Sequence, residues 1–393
     1  MTGFSLLDII LVLWLLGQTI YGLNAGLVAS LGGILGAVAG AIAAFYAAPL
    51  LSRAVADPAW RTPVVIGVTI LLLLVGHAVG IGLGRGMGRR LVRGPVNVVN
   101  RLLGGALNLL VGALLISVLA FGVSNLGIPA VSKALSGSAV ITTIDRLTPT
   151  PVKEATAQLR SLVLDEGIPQ LLGPGSNVAV APPNTSTDTP AWNRAAASVL
   201  KISGTAFQCG QNQTGTGFVV SPGRVLTNAH VVAGVEDPVV QTPNQGSLRA
   251  RIVYFDPAKD LAVLAVDGLD VAPLPAGAQL RPGDTAAFIG YPLGGPRQVR
   301  PATVRSQGPV MVPDIHGRLH TPIDVYQLAG NVQSGNSGGP LLDAGGRVAG
   351  VVFAKSTTNT PVGFAFTMAD VQPVISAAPM LSSAVSAGVC VAG

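Results

Sequence analysis

Three residue types that together can perform acyl transfer occur in short motifs in the second half of this 393-residue chain. His230 lies in TNAHVV, Asp260 in KDLAVL and Ser337 in SGNSGGP. A serine hydroxyl is a weak nucleophile at neutral pH, and a neighbouring imidazole can take its proton. An aspartate behind the imidazole fixes its tautomer and stabilises the imidazolium. We therefore expect Ser337 to be the nucleophile, His230 the general base and Asp260 the group that orients the base.

The glycines around Ser337 suit a second part of the same chemistry. A tight turn with little side-chain bulk can direct the backbone N–H groups of Gly335 and Ser337 at one point. A negatively charged oxygen that develops at that point would be stabilised by both donors. This mechanism uses no metal and no organic cofactor, so we expect neither.

The elements that must position these residues are short strands. From about Ala195 onward, β-branched runs alternate with glycine and proline turns, a pattern typical of an all-β sandwich or a pair of barrels. The separations of 30 residues from His230 to Asp260 and 77 from Asp260 to Ser337 place the three groups on different loops. The runs are ASVLKISG, TGFVV, GRVLTNAHVV, LRARIVYF, LAVLAV, TAAFIGYP, GRVAGVVFA and VGFAF.

In their sequences and their order along the chain, the motifs TNAHVV, DLAVL and GNSGGPL resemble those of the trypsin-like serine protease superfamily, and within it those of the bacterial HtrA-like proteases. The resemblance covers residues 195–372 and implies a double β-barrel. It also places the base of the substrate pocket at Asn331, with Val332, Ala354 and Ser356 as further lining. Because Asn331 is neutral, we expect no strong preference for lysine or arginine in the substrate.

The composition excludes a single soluble domain. The chain is 49% hydrophobic and 11% charged, whereas about a quarter of the residues in a soluble domain are charged. Each of four apolar stretches has about the 20 residues that a helix needs to cross a bilayer. We therefore predict a four-helix transmembrane domain over residues 1–126. The stretches are residues 4–21, 27–51, 64–83 and 102–126.

The orientation of these spans follows from their loops. Residues 85–101 carry five arginines and no acidic residue, and basic loops remain in the cytoplasm. The chain after residue 126 is then extracytoplasmic, so we predict a multi-pass protein of the inner (plasma) membrane with its hydrolase domain in the periplasm. The net charge of +6 reflects this topology, and we expect protein or peptide substrates and a lipid bilayer as partners, not nucleic acid.

Small residues recur every fourth position in two of the spans, a spacing that lets helix backbones approach closely in lipid. His77 and Asn108 also lie within spans, where we expect them to form hydrogen bonds between helices. The region resembles the colicin V production protein family. The small residues are Gly32, Gly36, Gly40, Gly76, Gly80 and Gly84.

Cys209 and Cys390 are the two cysteines of the chain. The predicted orientation places both outside the cytoplasm, where disulfides form. We therefore expect a disulfide bond between them, the alternative being two free buried thiols.

Two histidines, His316 and His320, stand four residues apart with acidic residues nearby. This spacing suits a metal site or an acid sensor on a helix. Gly317 and the neighbouring prolines favour a loop instead, so we expect a solvated surface and no metal.

Between the two regions we predict a linker over residues 127–194, followed by the protease domain at 195–393. A helix is expected at 152–164, and residues 173–191 have the proline, serine, threonine and asparagine content of an exposed tether. Exposed tethers are readily cut, and self-cleavage between about Leu172 and Arg194 is a hypothesis that follows.

As a whole, the chain resembles the membrane-bound acid-resistance serine proteases of actinobacteria. The resemblance implies a role in envelope stress or acid resistance. Two other functional classes stay open at this point. One is a non-catalytic binding or chaperone domain with a trypsin-like fold, and the other is a transporter or channel regulated by its attached domain.

Overall fold

The computed structural model describes residues 5–54, 58–91, 94–124, 128–161, 168–171, 181–209, 211–318, 320–357 and 361–391. The chain divides into two compact units. The first comprises Met1–Ser117 and Ser138–Ile144, and the second comprises Val118–Gly137 and Asp145–Gly393.

Four helices long and apolar enough to cross a membrane begin the chain, as the composition predicts. They are α1 (Leu6–Ala25), α2 (Leu27–Ala54), α3 (Pro58–Leu91) and α4 (Pro95–Ser124). Many of their large apolar side chains point outward, and those of Leu35, Phe45 and Leu110 are 68%, 76% and 68% exposed. An outer surface of this kind is stable in lipid and costly in water.

The helices α2 and α3 pack backbone against backbone along the predicted glycine stripes. A Cβ atom on Gly36 would lie 2.0 Å from the carbonyl oxygen of Gly76, and one on Gly80 would lie 2.1 Å from that of Gly32. No side chain fits at such distances, so glycine is required for this close approach.

Polar side chains join the membrane helices to one another, as expected for His77 and Asn108. His77 Nδ1 lies 3.0 Å from the carbonyl oxygen of Gly33. Asn108 Nδ2 donates to Ser30 Oγ over 2.6 Å. These bonds satisfy groups that would otherwise be unpaired in hydrocarbon.

The segment between the apolar helices and the sheets contains more structure than the sequence predicts. The expected helix at 152–164 is present as α7, while its end at 162–164 and the tether residues 173–180 lie outside the described residues. The helix α6 begins at Ala139, and the Asp8 carboxylate accepts bonds from Ser138 Oγ, just before the helix, and from the Val140 amide. Such distant partners explain why short helices form here without a strong local pattern. The added elements are α5 (Pro129–Gly137), α6 (Ala139–Leu147), α7 (Thr150–Ser161), β1 (Gln170–Leu171) and α8 (Pro190–Ala196).

The described strands form two seven-stranded sheets. The first has the order β6-β5-β2-β3-β4-β8-β7, and the second has the order β1-β13-β12-β9-β10-β11-β14 with β13 also paired to β14. The second sheet therefore closes into a barrel. The strands after β1 are β2 (Val199–Ala206), β3 (Gln211–Ser221), β4 (Arg224–Thr227), β5 (Val239–Thr242), β6 (Gly246–Arg249), β7 (Arg251–Asp256), β8 (Leu261–Ala265), β9 (Thr285–Gly290), β10 (Gln298–Pro313), β11 (His320–Ala329), β12 (Pro340–Leu342), β13 (Val348–Ser356) and β14 (Val362–Thr367).

Each sheet surrounds its own buried cluster, and a third cluster joins them. This joining cluster contains Phe218 and Leu226 from the first sheet and Phe353 and Phe366 from the second. The rings of Phe353 and Phe366 stack at 3.8 Å between centroids. The two sheets are thus held together by this shared apolar core.

A disulfide bond joins Cys209 to Cys390, with 6.5 Å between their Cα atoms. Cys209 follows β2, and Cys390 lies in the chain after α9 (Met368–Ala377). The Val385 amide near Cys390 donates to the carbonyl oxygen of Ile252 over 2.8 Å. The bond therefore ties the C-terminal segment to the first sheet.

Candidate active site

His230 and Asp260 form the first part of the site. His230 lies in a short turn after β4, and Asp260 immediately precedes β8. His230 Nδ1 is 2.7 Å from Asp260 Oδ2, and the His230 amide donates to Asp260 Oδ1 over 2.9 Å. Both residues are buried. Because the carboxylate accepts the proton on Nδ1, Nε2 is left as the nitrogen that can receive another.

The backbone of Asp260 is held in an unusual conformation. Its φ is +51°, in the left-handed region that few residues other than glycine adopt. The Asn228 side chain donates from Nδ2 to the carbonyl oxygen of Asp260 over 2.7 Å. Asn228 precedes His230 by two residues, so one short segment positions both members of the pair.

The loop that carries Ser337 packs against this segment. A Cβ atom on Gly338 would lie 2.3 Å from Thr227 Oγ1 and 3.0 Å from the Asn228 amide nitrogen. Ser337 is 2% exposed, and its Oγ makes no hydrogen bond to any residue that the structure describes. The fold thus brings the three predicted residues to one place, but the bond from the serine hydroxyl to His230 is not made.

The amides around Ser337 fall into two groups. Those of Asn336, Gly338 and Gly339 donate to the carbonyl oxygens of Gln333, Val352 and Asn336, respectively. Within the described chain, the amides of Gly335 and Ser337 have no acceptor. These are the two donors that the sequence predicts for a developing oxyanion. The φ of Gly335 is +85°, which explains the need for glycine there.

Thr216, on β3, is a positioning residue that the motifs do not reveal. Its Oγ1 donates to the carbonyl oxygen of Gly335 over 2.6 Å and accepts from the Tyr291 amide at 3.1 Å. Its own amide donates to the carbonyl oxygen of Ser337 over 2.8 Å. Thr216 therefore joins strand β3 to two loops, the Ser337 loop and the turn at residues 291–295. The available sequence signal is a threonine flanked by glycines at the start of an apolar strand, in TGTGFVV.

The turn at residues 291–295 supports the Ser337 loop from another side. The Leu293 amide donates to the carbonyl oxygen of Ser334 over 2.7 Å, and the buried Lys201 ammonium donates to the carbonyl oxygen of Gly294. Burial raises the pKa of the Tyr291 phenol. It therefore stays protonated and donates to Val199 across 3.1 Å.

The predicted pocket residues lie along the second sheet. Val332, Ala354 and Ser356 are buried, and Asn331 is partly buried. A Cβ atom on Gly363 would lie 2.2 Å from Val332 Cγ2, so Val332 packs closely on β14. Their role in binding a substrate side chain stays a prediction.

The two histidines of the 314–320 region lie where β10 turns into β11. Pro313 and His320 face each other in the ladder, and the Asp314 carboxylate accepts from the His316 and Arg318 amides. This region is a hairpin turn, as the glycine and prolines predict. No group of three or more potential metal ligands occurs in the part of the chain that the structure describes.

Two barrel-like sheets with a buried His–Asp pair beside a glycine-rich serine turn define a trypsin-like peptidase. The trypsin-like peptidase domain model matches residues 215–351, and the colicin V production protein model matches residues 7–149. The chain belongs to the trypsin-like serine protease family and, with its four apolar helices, is a membrane protein.

The relatives agree with this assignment. The serine protease Rv3671c of Mycobacterium tuberculosis (strain ATCC 25618 / H37Rv) is 36% identical over 250 residues, which are 62% of this chain and 62% of that protein. A crystal structure of the Rv3671c protease in its active form is similar at a TM-score of 0.53 and 34% identity, covering 57% of this chain and all of that one. A probable periplasmic serine endoprotease DegP-like of Pseudomonas putida (strain W619) is 34% identical over 148 residues, 36% of this chain and 30% of that protein.

Proposed function

We propose that this protein is a membrane-anchored serine endopeptidase that cleaves proteins or peptides through an acyl-enzyme. The observation that carries the proposal is the buried His230–Asp260 pair beside the Ser337 turn. In that turn the amides of Gly335 and Ser337 have no acceptor among the described residues. No metal or organic cofactor takes part in the chemistry that these residues can perform.

In the proposed reaction, Ser337 Oγ attacks the carbonyl carbon of the peptide while His230 Nε2 accepts the hydroxyl proton. The amides of Gly335 and Ser337 donate to the oxyanion of the tetrahedral intermediate. The C–N bond then breaks, and the imidazolium gives its proton to the leaving amine. A water molecule attacks the acyl-enzyme by the reverse steps, and Asp260 holds the imidazole throughout.

The hydrogen bond from Ser337 Oγ to His230 has to form before this reaction can start, because Ser337 Oγ has no hydrogen-bond partner among the described residues. Catalytic hydrogen bonds are often long in the free enzyme and tighten in the complex with substrate.

The neutral Asn331, with Val332, Ala354 and Ser356, supports a preference for uncharged side chains before the cleaved bond. A peptide library should therefore show cleavage mainly after small or apolar residues. Predominant cleavage after arginine or lysine would contradict this pocket assignment.

We place the protein in the inner (plasma) membrane as a multi-pass protein, with residues 127–194 as a linker and residues 195–393 in the periplasm. The arginine-rich stretch at 85–101, where α3 ends and α4 begins, supports this orientation. The disulfide also supports it, since disulfides persist in oxidising compartments. A protease added to intact spheroplasts should degrade the second unit, and protection of that unit would contradict the orientation.

The role that fits best is cleavage of envelope proteins under stress, including acid stress, with self-cleavage between residues 172 and 194. Residues 181–189 have no helix or strand and are largely exposed, which supports cleavage there. Cells lacking the gene should lose viability in acid and recover with the wild-type chain but not with Ser337→Ala. Equal rescue by both would refute a proteolytic role.

The central test is covalent labelling of Ser337 by a small fluorophosphonate in the full-length protein. Labelling of wild type with none in Ser337→Ala is expected. No labelling of either form would favour the non-catalytic binding or chaperone function. For the transporter or channel alternative, flux through liposomes that depends on the apolar helices would be required.

A further inference from the structure

The strand β13 leads directly away from the nucleophile loop. Val352 accepts from the Gly338 amide over 2.8 Å and donates to the carbonyl oxygen of Gly339 over 2.9 Å. The neighbour on the opposite edge of β13 is β14, which pairs with it as far as Lys355. The edge that faces Gly338 and Gly339 is therefore the one along which a peptide bound at Ser337 would extend.

That edge is already occupied by the chain itself. The Lys355 amide donates to the carbonyl oxygen of Pro169 over 3.1 Å, and the Thr357 amide donates to that of Leu171 over 3.2 Å. The segment of residues 168–171 thus adds a strand to the sheet through β1. Extended peptides bind proteins in the same way, by pairing with an exposed strand edge.

Two side chains anchor the 168–171 segment. Ile168 is 6% exposed and Leu171 is 4% exposed. Ile168 shares its buried cluster with Val332, and Leu171 shares its cluster with Ala354. Both of these neighbours are residues predicted to line the substrate pocket.

The segment lies on this edge in a direction that does not present it for cleavage. β1 runs parallel to β13, and β13 runs away from the serine loop, so the segment also leads away from Ser337. A substrate whose residues before the cleaved bond pair with this edge must run toward Ser337. The 168–171 segment therefore covers the edge without being a substrate there.

The helix α7, which precedes the segment, also contacts the active-site loops. Glu154 Oε1 accepts from Gln298 Nε2 over 2.9 Å. Ala157 is 2% exposed, and a Cβ atom on Gly295 would lie 2.9 Å from its Cβ. Gly295 ends the turn whose Leu293 amide bonds to Ser334. Two separate contacts thus hold the linker against the site.

We propose that residues 168–171 are an intramolecular inhibitor that an extended substrate must displace from β13. This inference rests on the proposed protease function, and it adds a competition between the chain's own linker and the peptide. Small ligands that need only Ser337 and the oxyanion donors do not compete with the segment, whereas ligands that extend along β13 do.

The test compares two probes on the full-length protein in detergent. One is a small fluorophosphonate, and the other is a peptidyl phosphonate with four residues before the phosphorus. Leu171→Glu places a charge in the buried anchor, and Gln170→Glu is a matched control, because Gln170 is exposed on the same strand. We expect the peptidyl probe to label Leu171→Glu at least about tenfold faster than wild type. Burial of one leucine side chain stabilises the docked segment by an amount that corresponds to at least this factor. The control and the small-probe rates should stay at the wild-type values.

The outcomes separate the two proposals. Equal peptidyl-probe rates in wild type and Leu171→Glu, with normal small-probe labelling, would overturn the inhibitor and leave the protease function standing. No small-probe labelling of any form would overturn both. A measurement on the wild-type chain does not depend on how the variant folds. Hydrogen exchange at residues 168–171 should be faster with the peptidyl probe bound than with the small probe, and equal exchange would overturn the inference.

Discussion

The replacement Thr216→Val tests how the Ser337 loop is held. Valine has nearly the shape of threonine but lacks the hydroxyl that donates to Gly335 and accepts from Tyr291. The backbone bond from the Thr216 amide to Ser337 does not use the side chain and should persist. The variant therefore removes two buried hydrogen bonds and leaves the strand in place.

The expected size of the effect follows from those two bonds. A buried polar group left without its partner costs about 1 to 3 kcal/mol, and about 1.4 kcal/mol corresponds to a factor of ten in rate. Loss of the bond to the Gly335 carbonyl oxygen should mainly disturb the turn that we propose binds the oxyanion. We therefore expect kcat to drop about ten- to hundredfold, with little change in KM. Thr216→Ser keeps the hydroxyl and should stay within about threefold of wild type.

The assay is steady-state hydrolysis of a peptide substrate, with the urea midpoint of each variant measured in parallel. Equal kcat values for Thr216→Val and wild type would refute the positioning role. A loss in Thr216→Ser as large as that in Thr216→Val would contradict the assignment of the effect to the hydroxyl, because serine keeps that hydroxyl and lacks only the methyl group. A lower urea midpoint with unchanged kcat would show that the bonds stabilise the fold and do not tune the turn.

Three further predictions follow from other contacts. Asn228→Ala removes the hydrogen bond to the carbonyl oxygen of Asp260, whose φ is +51°. We expect kcat, measured with the same peptide substrate, to fall about tenfold or more. Gly36→Val cannot fit against the carbonyl oxygen of Gly76 and should lower the yield of folded protein in membranes, read from size-exclusion profiles. Burial raises the pKa of Tyr254 to about 12. The neutral phenol is therefore favoured in the folded state, and the stability of the fold should fall as the pH rises from about 10 to 12. The fall should be smaller in Tyr254→Phe, which is checked by comparing the urea midpoints of the two proteins over this pH range.

The residues of the proposed active site could be recognised in the sequence because they lie in local motifs. Ser337 and its glycines lie within seven residues, and the glycine stripes of α2 and α3 repeat at one spacing. Both patterns are short enough to be recognised without knowing what packs against them.

The residues that hold the site could not be predicted in this way. Thr216 and Gly335 are 119 positions apart, and nothing near either indicates the other. The same holds for β1, where two residues form a strand only because the edge of β13 accepts them. Tertiary contacts stabilise such short elements, and local propensity does not reveal them.

Because of the position of the linker, cleavage of the chain there need not release the protease from the membrane. Helices α5 and α7 and strand β1 all precede residue 172, yet they pack within the second unit, where Ser136 Oγ in α5 accepts from the Ser247 amide and Glu154 in α7 bonds to Gln298. A chain nicked after Leu171 would therefore remain a two-piece complex with the inhibitor docked in trans. Peptidase activity would still sediment with the membrane fraction after the full-length band had disappeared. Because the inhibitor would then be bound without a covalent link, its dissociation and the peptidase activity would increase on dilution, as for any bimolecular inhibitor.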